Sequence, residues 1–336
     1  MQKLVIITSL SFTAACLYAI LTTYSKSYST NPDISDIVVH VEVQRLERTL
    51  FALRTKEEIS HFLQGNQPFA QQFLGIVTPS DERELIDKLY AMVHDAAMHD
   101  LYKEVQRVFG DFSGIQRQLE EAFRYLRYYY PNFEVPQVAT FMTGMGSDLY
   151  VSDDLIVIGL DFFLGEGAQF RPIKLPEYVL RTYQPAYVVP KIVLLLSQRF
   201  NNATDADYTL LGDMLYYGKS YYFTKAMLPC VADSIIIGYT AEQLADTRKH
   251  RDIVWEHFIE HELLYETNHL VKEKYISNRP FTAEIGPKCP GNIGGWLGWE
   301  ITKQYMKTNS MVSLPTLMNN PDAQELFTQS KYRPRK

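Results

Sequence analysis

Apolar and polar positions change their spacing several times along the chain, and each change predicts a different element. Residues 1–24, MQKLVIITSLSFTAACLYAILTTY, place Lys3 ahead of an apolar run over 4–12. That is the order of a charged n-region and a hydrophobic h-region, as expected of an export signal. Residues 25–36 are rich in Ser, Asn, Pro and Asp and predict a tether. A β-branched apolar run over 37–43 predicts the first strand. Apolar residues at helical spacing then predict helices over 49–63 (Leu50, Phe51, Leu53, Ile59, Phe62, Leu63), over 69–74 and over 80–98. In the last of these Ser80 is the expected cap, Asp81, Glu82 and Glu84 favour the first turn, and Leu85, Leu89, Met92 and Val93 form the buried stripe. The helical pattern continues over 101–108 and 114–130 and stops at Pro131, which disfavours helical geometry in the residue before it.

Beyond Pro131 the pattern shortens. Residues 138–143 and 155–160 are short apolar runs bounded by Gly and Asp, and they predict a pair of antiparallel strands. Three helical stretches follow. The stretch 186–200 is almost wholly apolar, 208–228 carries Tyr216, Tyr217, Tyr221 and Tyr222, and 240–264 opens with Thr240 and Gln243 as a capping box. The last helix, over 291–307, contains Gly291, Gly294, Gly295 and Gly298. Glycine weakens an isolated helix but favours close approach by a neighbouring backbone, with Trp296 and Trp299 filling the space beside it. No internal repeat occurs. The sum is a mostly helical α+β fold with a small antiparallel sheet, in one globular domain over 37–330.

Composition narrows the function classes. Apolar residues at 46% and charged residues at 21% describe a globular body. A net charge of -6 offers no general footprint for nucleic acid, and the basic tail 331–336 reads as a solvated end. The 23 tyrosines suit core packing or a half-wet contact surface, and a cell-wall or glycan-binding module is an alternative that rests on them alone. Of three cysteines, Cys16 lies in the leader, while Cys230 and Cys289 each adjoin a proline. Their spacing leaves open whether they are bridged. The stretch Thr13-Ala14-Ala15-Cys16 resembles a lipoprotein processing box, in which an acylated Cys16 would hold the body on a bacterial membrane. Uncleaved, residues 4–24 would just span a hydrocarbon core as an anchor helix, and simple secretion is a third outcome. Each places the body outside the cytoplasm.

The chemistry-bearing patterns are few. His257 and His261 stand four apart, so on a helix both could bind one zinc ion with Glu260 as general base. A third ligand would have to come from Glu284, Glu300 or Glu325, and a solvated helix edge beside the apolar face of Trp255, Phe258, Ile259 and Leu263 explains the same residues. The turn 144–148 lacks the Lys-Ser/Thr of a phosphate loop. Asp205 and Asp207 lack the twelve-residue calcium-loop pattern.

Several strings resemble the gliding motility-associated lipoprotein B family, in order over nearly the whole body. They are 39–51 (VHVEVQRLERTLF), 155–165 (LIVIGLDFFLG), Val189-Pro190, 210–229 (LLGDMLYYGKSYYFTKAMLP), 237–243 (IGYTAEQ) and 290–306 (PGNIGGWLGWEITKQYM). That family is in turn similar to zincin-type predicted metalloproteases, where an H-E-x-x-H helix precedes a helix with Glu-Gly and then a Gly-rich helix. The resemblance implies a mostly helical part over 37–135 and a degenerate zincin-like core over 136–330. The place of the first helix reads Val189-Pro190-Lys191-Ile192-Val193, and the place of Glu-Gly falls at Tyr217-Gly218. With the ligands absent, bound water cannot be activated, so a pseudoprotease with no cofactor and no enzymatic activity is implied. Also implied is a membrane-tethered protein of the bacterial cell envelope, facing the periplasm. It would support gliding motility or type IX secretion, with other envelope proteins as partners. The partner cleft expected from this alignment is lined by Tyr216, Tyr217, Gly218, Tyr221 and Tyr222.

Overall fold

The computed structural model describes residues 31–172, 175–203 and 207–334. The chain divides into two units, Met1–Asp36 and Ile37–Lys336, and every described helix and strand lies in the second. Cys16, and with it the leader, lies outside the described residues.

Strand β1 (Val43–Arg45) leads into α1 (Leu46–Ala52) and α2 (Lys56–Gly65). One helix was expected over 49–63. Leu53 is extended instead, and Thr55 opens a new helix by a capping box with Glu58. The expected strand over 37–43 is reduced to β1 at its end, and residues 37–42 run without regular structure. Residues 69–73 form a single π-helical turn, Phe69–Phe73. Next come α3 (Pro79–His94), α4 (Ala96–Phe109) and α5 (Ser113–Tyr129). Thr78, not Ser80, caps α3, because its side chain reaches the Asp81 N–H while Asp81 returns to the Thr78 N–H at 2.7 Å. Asp95 turns extended and caps α4, dividing the stretch read as one helix over 80–98.

The sheet contains β2 (Gln137–Phe141), β3 (Leu149–Val151) and β4 (Leu155–Gly159), in the order β1-β2-β4-β3. It has one antiparallel pair, β3 with β4. The runs 138–143 and 155–160, however, pair in parallel. The reason is the intervening three-residue strand: two reversals of direction return the chain to its first heading. Ala139, Phe141, Leu155 and Val157 turn one face of the sheet onto Leu50, Ile59, Phe62, Leu63, Leu89 and Val93. Side chains alternate in a strand, so Val138, Ile156 and Ile158 face the other way, and they are buried as well. At the base of β1, Glu47 is buried, pairs with Arg45 at 2.7 Å and accepts the Thr140 hydroxyl at 2.5 Å. A buried carboxylate needs such partners.

Past β4 come α6 (Glu177–Leu180), α7 (Val188–Ser197), α8 (Leu210–Met227), α9 (Asp233–Ile237), α10 (Ala241–Lys249), α11 (Arg251–Glu260), α12 (His269–Ile276), α13 (Ile293–Thr308), α14 (Leu314–Asn319) and α15 (Ala323–Ser330). The capping box of Thr240 and Gln243 opens α10 as expected. The single helix expected over 240–264 breaks at His250, whose backbone N–H and ring nitrogen both meet the Asp246 carbonyl. Helices α8 and α13 cross in the centre of the domain. A Cβ on Gly218 would stand 2.3 Å from the Gly298 backbone, and one on Gly298 would stand 1.8 Å from the Met214 carbonyl oxygen. The two backbones therefore touch, with Trp296 and Trp299 fully buried alongside.

Candidate functional site

Helix α7 sets the site. Its sequence, VVPKIVLLLS, is hydrocarbon except at Lys191 and the terminal Ser197. Val188, Val189, Ile192, Val193 and Leu196 are buried, which turns Lys191 and Leu194 toward a cavity of about 230 Å³. Among the described residues three cations line that cavity, Arg181, Lys191 and Arg279, and no carboxylate does. The rest of the wall includes five tyrosines (Tyr178, Tyr183, Tyr187, Tyr221, Tyr239), the polar Thr182 and Asn278, and the apolar end of α9 over 235–238.

The Lys191 ammonium lies 4.0 Å from the centroid of the Tyr183 ring. The Tyr183 hydroxyl donates to Asp148 at 2.7 Å, which engages the one carboxylate whose charge is felt at Lys191. Burial holds the Lys191 ammonium below the usual lysine range, with Asp148 opposing that shift. Arg181 donates to the Gly238 carbonyl at 3.1 Å, and its Nε is buried without a hydrogen-bond partner. Arg279 at the rim is paired with Glu284 at 3.4 Å. The floor is rigid. Asn292, in a left-handed conformation at φ 56°, donates to the Tyr221 hydroxyl at 2.7 Å, and the Tyr239 hydroxyl donates to the Gly291 carbonyl at 2.9 Å. Burial pushes the Tyr183, Tyr221 and Tyr239 phenols up, so all three stay neutral. The cavity therefore repels a metal cation and favours an anion.

A family model described as gliding motility protein GldB matches residues 27–334. The chain belongs to the GldB family. No curated protein and no solved structure matches it.

In this GldB-family chain the five residues expected to share one cleft are dispersed. Successive helical residues point about 100° apart, so a run such as 216–222 covers every side of α8. Tyr221 reaches the Lys191 cavity. Tyr216 lines a second cavity beside Asp213 and Lys219. There the Lys219 ammonium donates to the carbonyls of Asn202 at 2.6 Å and Asn320 at 2.8 Å, and burial brings its pKa down to about 8. Tyr222 lines a groove with Tyr128, Tyr129 and Met306. Tyr217 is half-buried against Tyr216, their ring centroids 5.8 Å apart. Gly218 is no part of a cleft, because it is the contact point with α13.

His257 turns Nε2 to the Tyr275 hydroxyl at 3.0 Å, and His261 turns Nδ1 to the His257 carbonyl at 3.0 Å. Glu260 is exposed at the end of α11. Among the described residues no group of three or more His, Cys, Asp or Glu stands where it could hold a metal ion. The turn after β2 does not cradle phosphate either. The buried Asp161 carboxylate already takes the N–H groups of Thr143 at 3.0 Å and Met145 at 2.6 Å. Cys230 and Cys289 are both free thiols. Burial pushes Cys289 up to about 12. Among the described residues no helix is long and apolar enough to cross a membrane.

Sequence reasoning noted Lys191 only as a lysine within the apolar string 189–193, and it missed Arg181, Tyr183 and Arg279. These come from loops and short turns with no periodic signal, and only packing brings them onto α7.

Proposed function

We propose that this GldB-family chain is a non-catalytic, membrane-tethered protein of the bacterial envelope, its body facing the periplasm. It supports gliding motility or type IX secretion machinery, and the Lys191 cavity receives an anionic group of a partner protein. Residues 1–24 direct export and anchoring, through acylated Cys16 or as a helix, 25–36 form the tether, and 37–330 act as one domain. The observation that carries the reading is the lining of the cavity, which among the described residues has three cations, a ring of tyrosines and no carboxylate. Family membership supports the envelope role. Helices α7, α8 and α13 follow the order of the three helices in the zincin-type resemblance, and α7 and α13 both pack on α8. This supports a degenerate zincin-like core in which Val189 and Val193, both buried hydrocarbon, stand where the two histidine ligands would be required.

A carboxylate is the matching chemistry, since Lys and Arg donate charge-assisted hydrogen bonds to it in a partly dry site. The test is crosslinking and pull-down from native envelopes with Lys191→Met and Lys191→Arg. The methionine variant is expected to be at least as stable as the parent, because it removes a cation that burial disfavours. It should lose partner capture by about tenfold or more, as for a charged pair deprived of one member, while the arginine variant retains it. Undiminished capture by Lys191→Met would end the cavity assignment. Stoichiometric zinc in protein purified without chelator would end the non-catalytic one.

A further inference from the structure

Residues 331–334 of the basic tail fold back on the domain through Tyr332. Helix α15 ends at Ser330, and Lys331 turns the chain in a left-handed conformation, φ 51°. Tyr332 then donates its N–H to the Ser330 hydroxyl oxygen at 3.1 Å, and its ring meets Trp255 edge-on at 5.4 Å. This places residues 331–334 beside α13. Between them lies a groove of about 850 Å³ lined by Arg251, Lys303, Lys307, Lys331 and Arg333, with Glu300 as its acid.

Glu300 is already committed: Lys303 donates to it at 2.9 Å and to Asp233 at 3.2 Å. Lys307, Lys331 and Arg333 carry no ion pair among the described residues. Lys303 and Lys307 are also one turn apart on the same helix face, an arrangement of like charges that disfavours the helix. On a chain of net charge -6, this is a local reversal of sign held in place by an aromatic contact. The cations come from α11, α13 and the C-terminal turn, so no single carboxylate can reach them together. An anion with several charges and many acceptor oxygens can, and arginine and lysine both serve such oxygens.

We infer that this groove binds a phosphate-bearing anion of more than one negative charge, either free or as a lipid headgroup. The inference does not use the Lys191 cavity and stands or falls apart from it. The test uses the full chain with two probes: inorganic pyrophosphate by titration calorimetry, and vesicles of phosphatidylcholine with or without cardiolipin, whose headgroup carries two phosphates, by co-sedimentation. Pyrophosphate binding that weakens with added salt is expected. Lys307→Ala and Arg333→Ala should each weaken the interaction about fivefold. Lys331→Gly removes a charge while keeping a residue suited to the left-handed turn, and should cost the same factor. Tyr332→Ala should weaken binding with every cation retained, which a merely basic tail would not show. A preference for cardiolipin vesicles that these substitutions abolish assigns the headgroup as the source, and pyrophosphate binding without that preference assigns a free phosphate compound. Failure of both probes, or binding undiminished in Tyr332→Ala and in the Lys307→Ala, Arg333→Ala double variant, overturns the inference.

Discussion

The domain holds itself together in two different ways. Between β2, β4 and the helices over them the core is made of side chains: Leu50, Ile59, Phe62 and Phe69 pack with Ala139, Phe141 and Val157. Where α8 crosses α13 the backbones themselves meet, through Gly218, Gly298 and Met214. Side chains can repack around a lost methyl, whereas a backbone contact has no atom to give up. The first region should therefore tolerate volume changes that the second cannot. It is the second that supports the cavity, since Tyr221 rises from α8 and accepts a hydrogen bond from Asn292 at the start of α13.

The sharpest way to break this comparison is Gly298→Ala. Its Cβ would stand 1.8 Å from the Met214 carbonyl oxygen, and the helices must separate to admit it. A loss of about 4 kcal/mol or more is expected, the range reserved for severe overpacking and strain. Chemical denaturation measures it, and a loss under about 1 kcal/mol, the size of an ordinary substitution, would show that the crossing is looser than described. In the side-chain region Ile59→Val removes one buried methylene. The expected loss is about 1 kcal/mol, with no change in the denaturant slope. A cost as large as that of Gly298→Ala would erase the distinction between the regions.

The smallest effect concerns pH at α11, outside both regions. Partial burial, aided by the neighbouring His261, holds His257 below the ordinary histidine value of 6.5. The folded protein thus takes up this proton less readily than the unfolded chain. Stability from the neutral ring is fully present above about pH 6.5 and declines as pH falls through the lower folded value. Replacing His257 by Gln should flatten that part of the stability–pH curve, and parallel curves for the two proteins would remove His257 as its cause.

Most helices were legible because burying one face of a helix imposes a period that residues such as Leu85, Leu89 and Val93 display openly. Boundaries were less legible: Thr55 and Asp95 look like ordinary helix residues until their side chains are seen capping the next turn. Strand direction was misread because Leu149–Val151 is too short to announce itself, and it alone decides whether β2 and β4 run alike. The candidate site was legible only as one lysine in a hydrocarbon helix.

By itself the amino-acid sequence determined the helical α+β character, the central place of α7 and the need for some backbone to approach the glycines of α13. Each of these follows from local composition and period, which act within a few turns of chain. Tertiary structure alone decided that Gly218 meets Gly298, that the tyrosines of α8 face different spaces, and that Arg181, Lys191 and Arg279 share one cavity. Those facts depend on how distant segments pack, and close packing leaves no trace in the spacing of residues along any one of them.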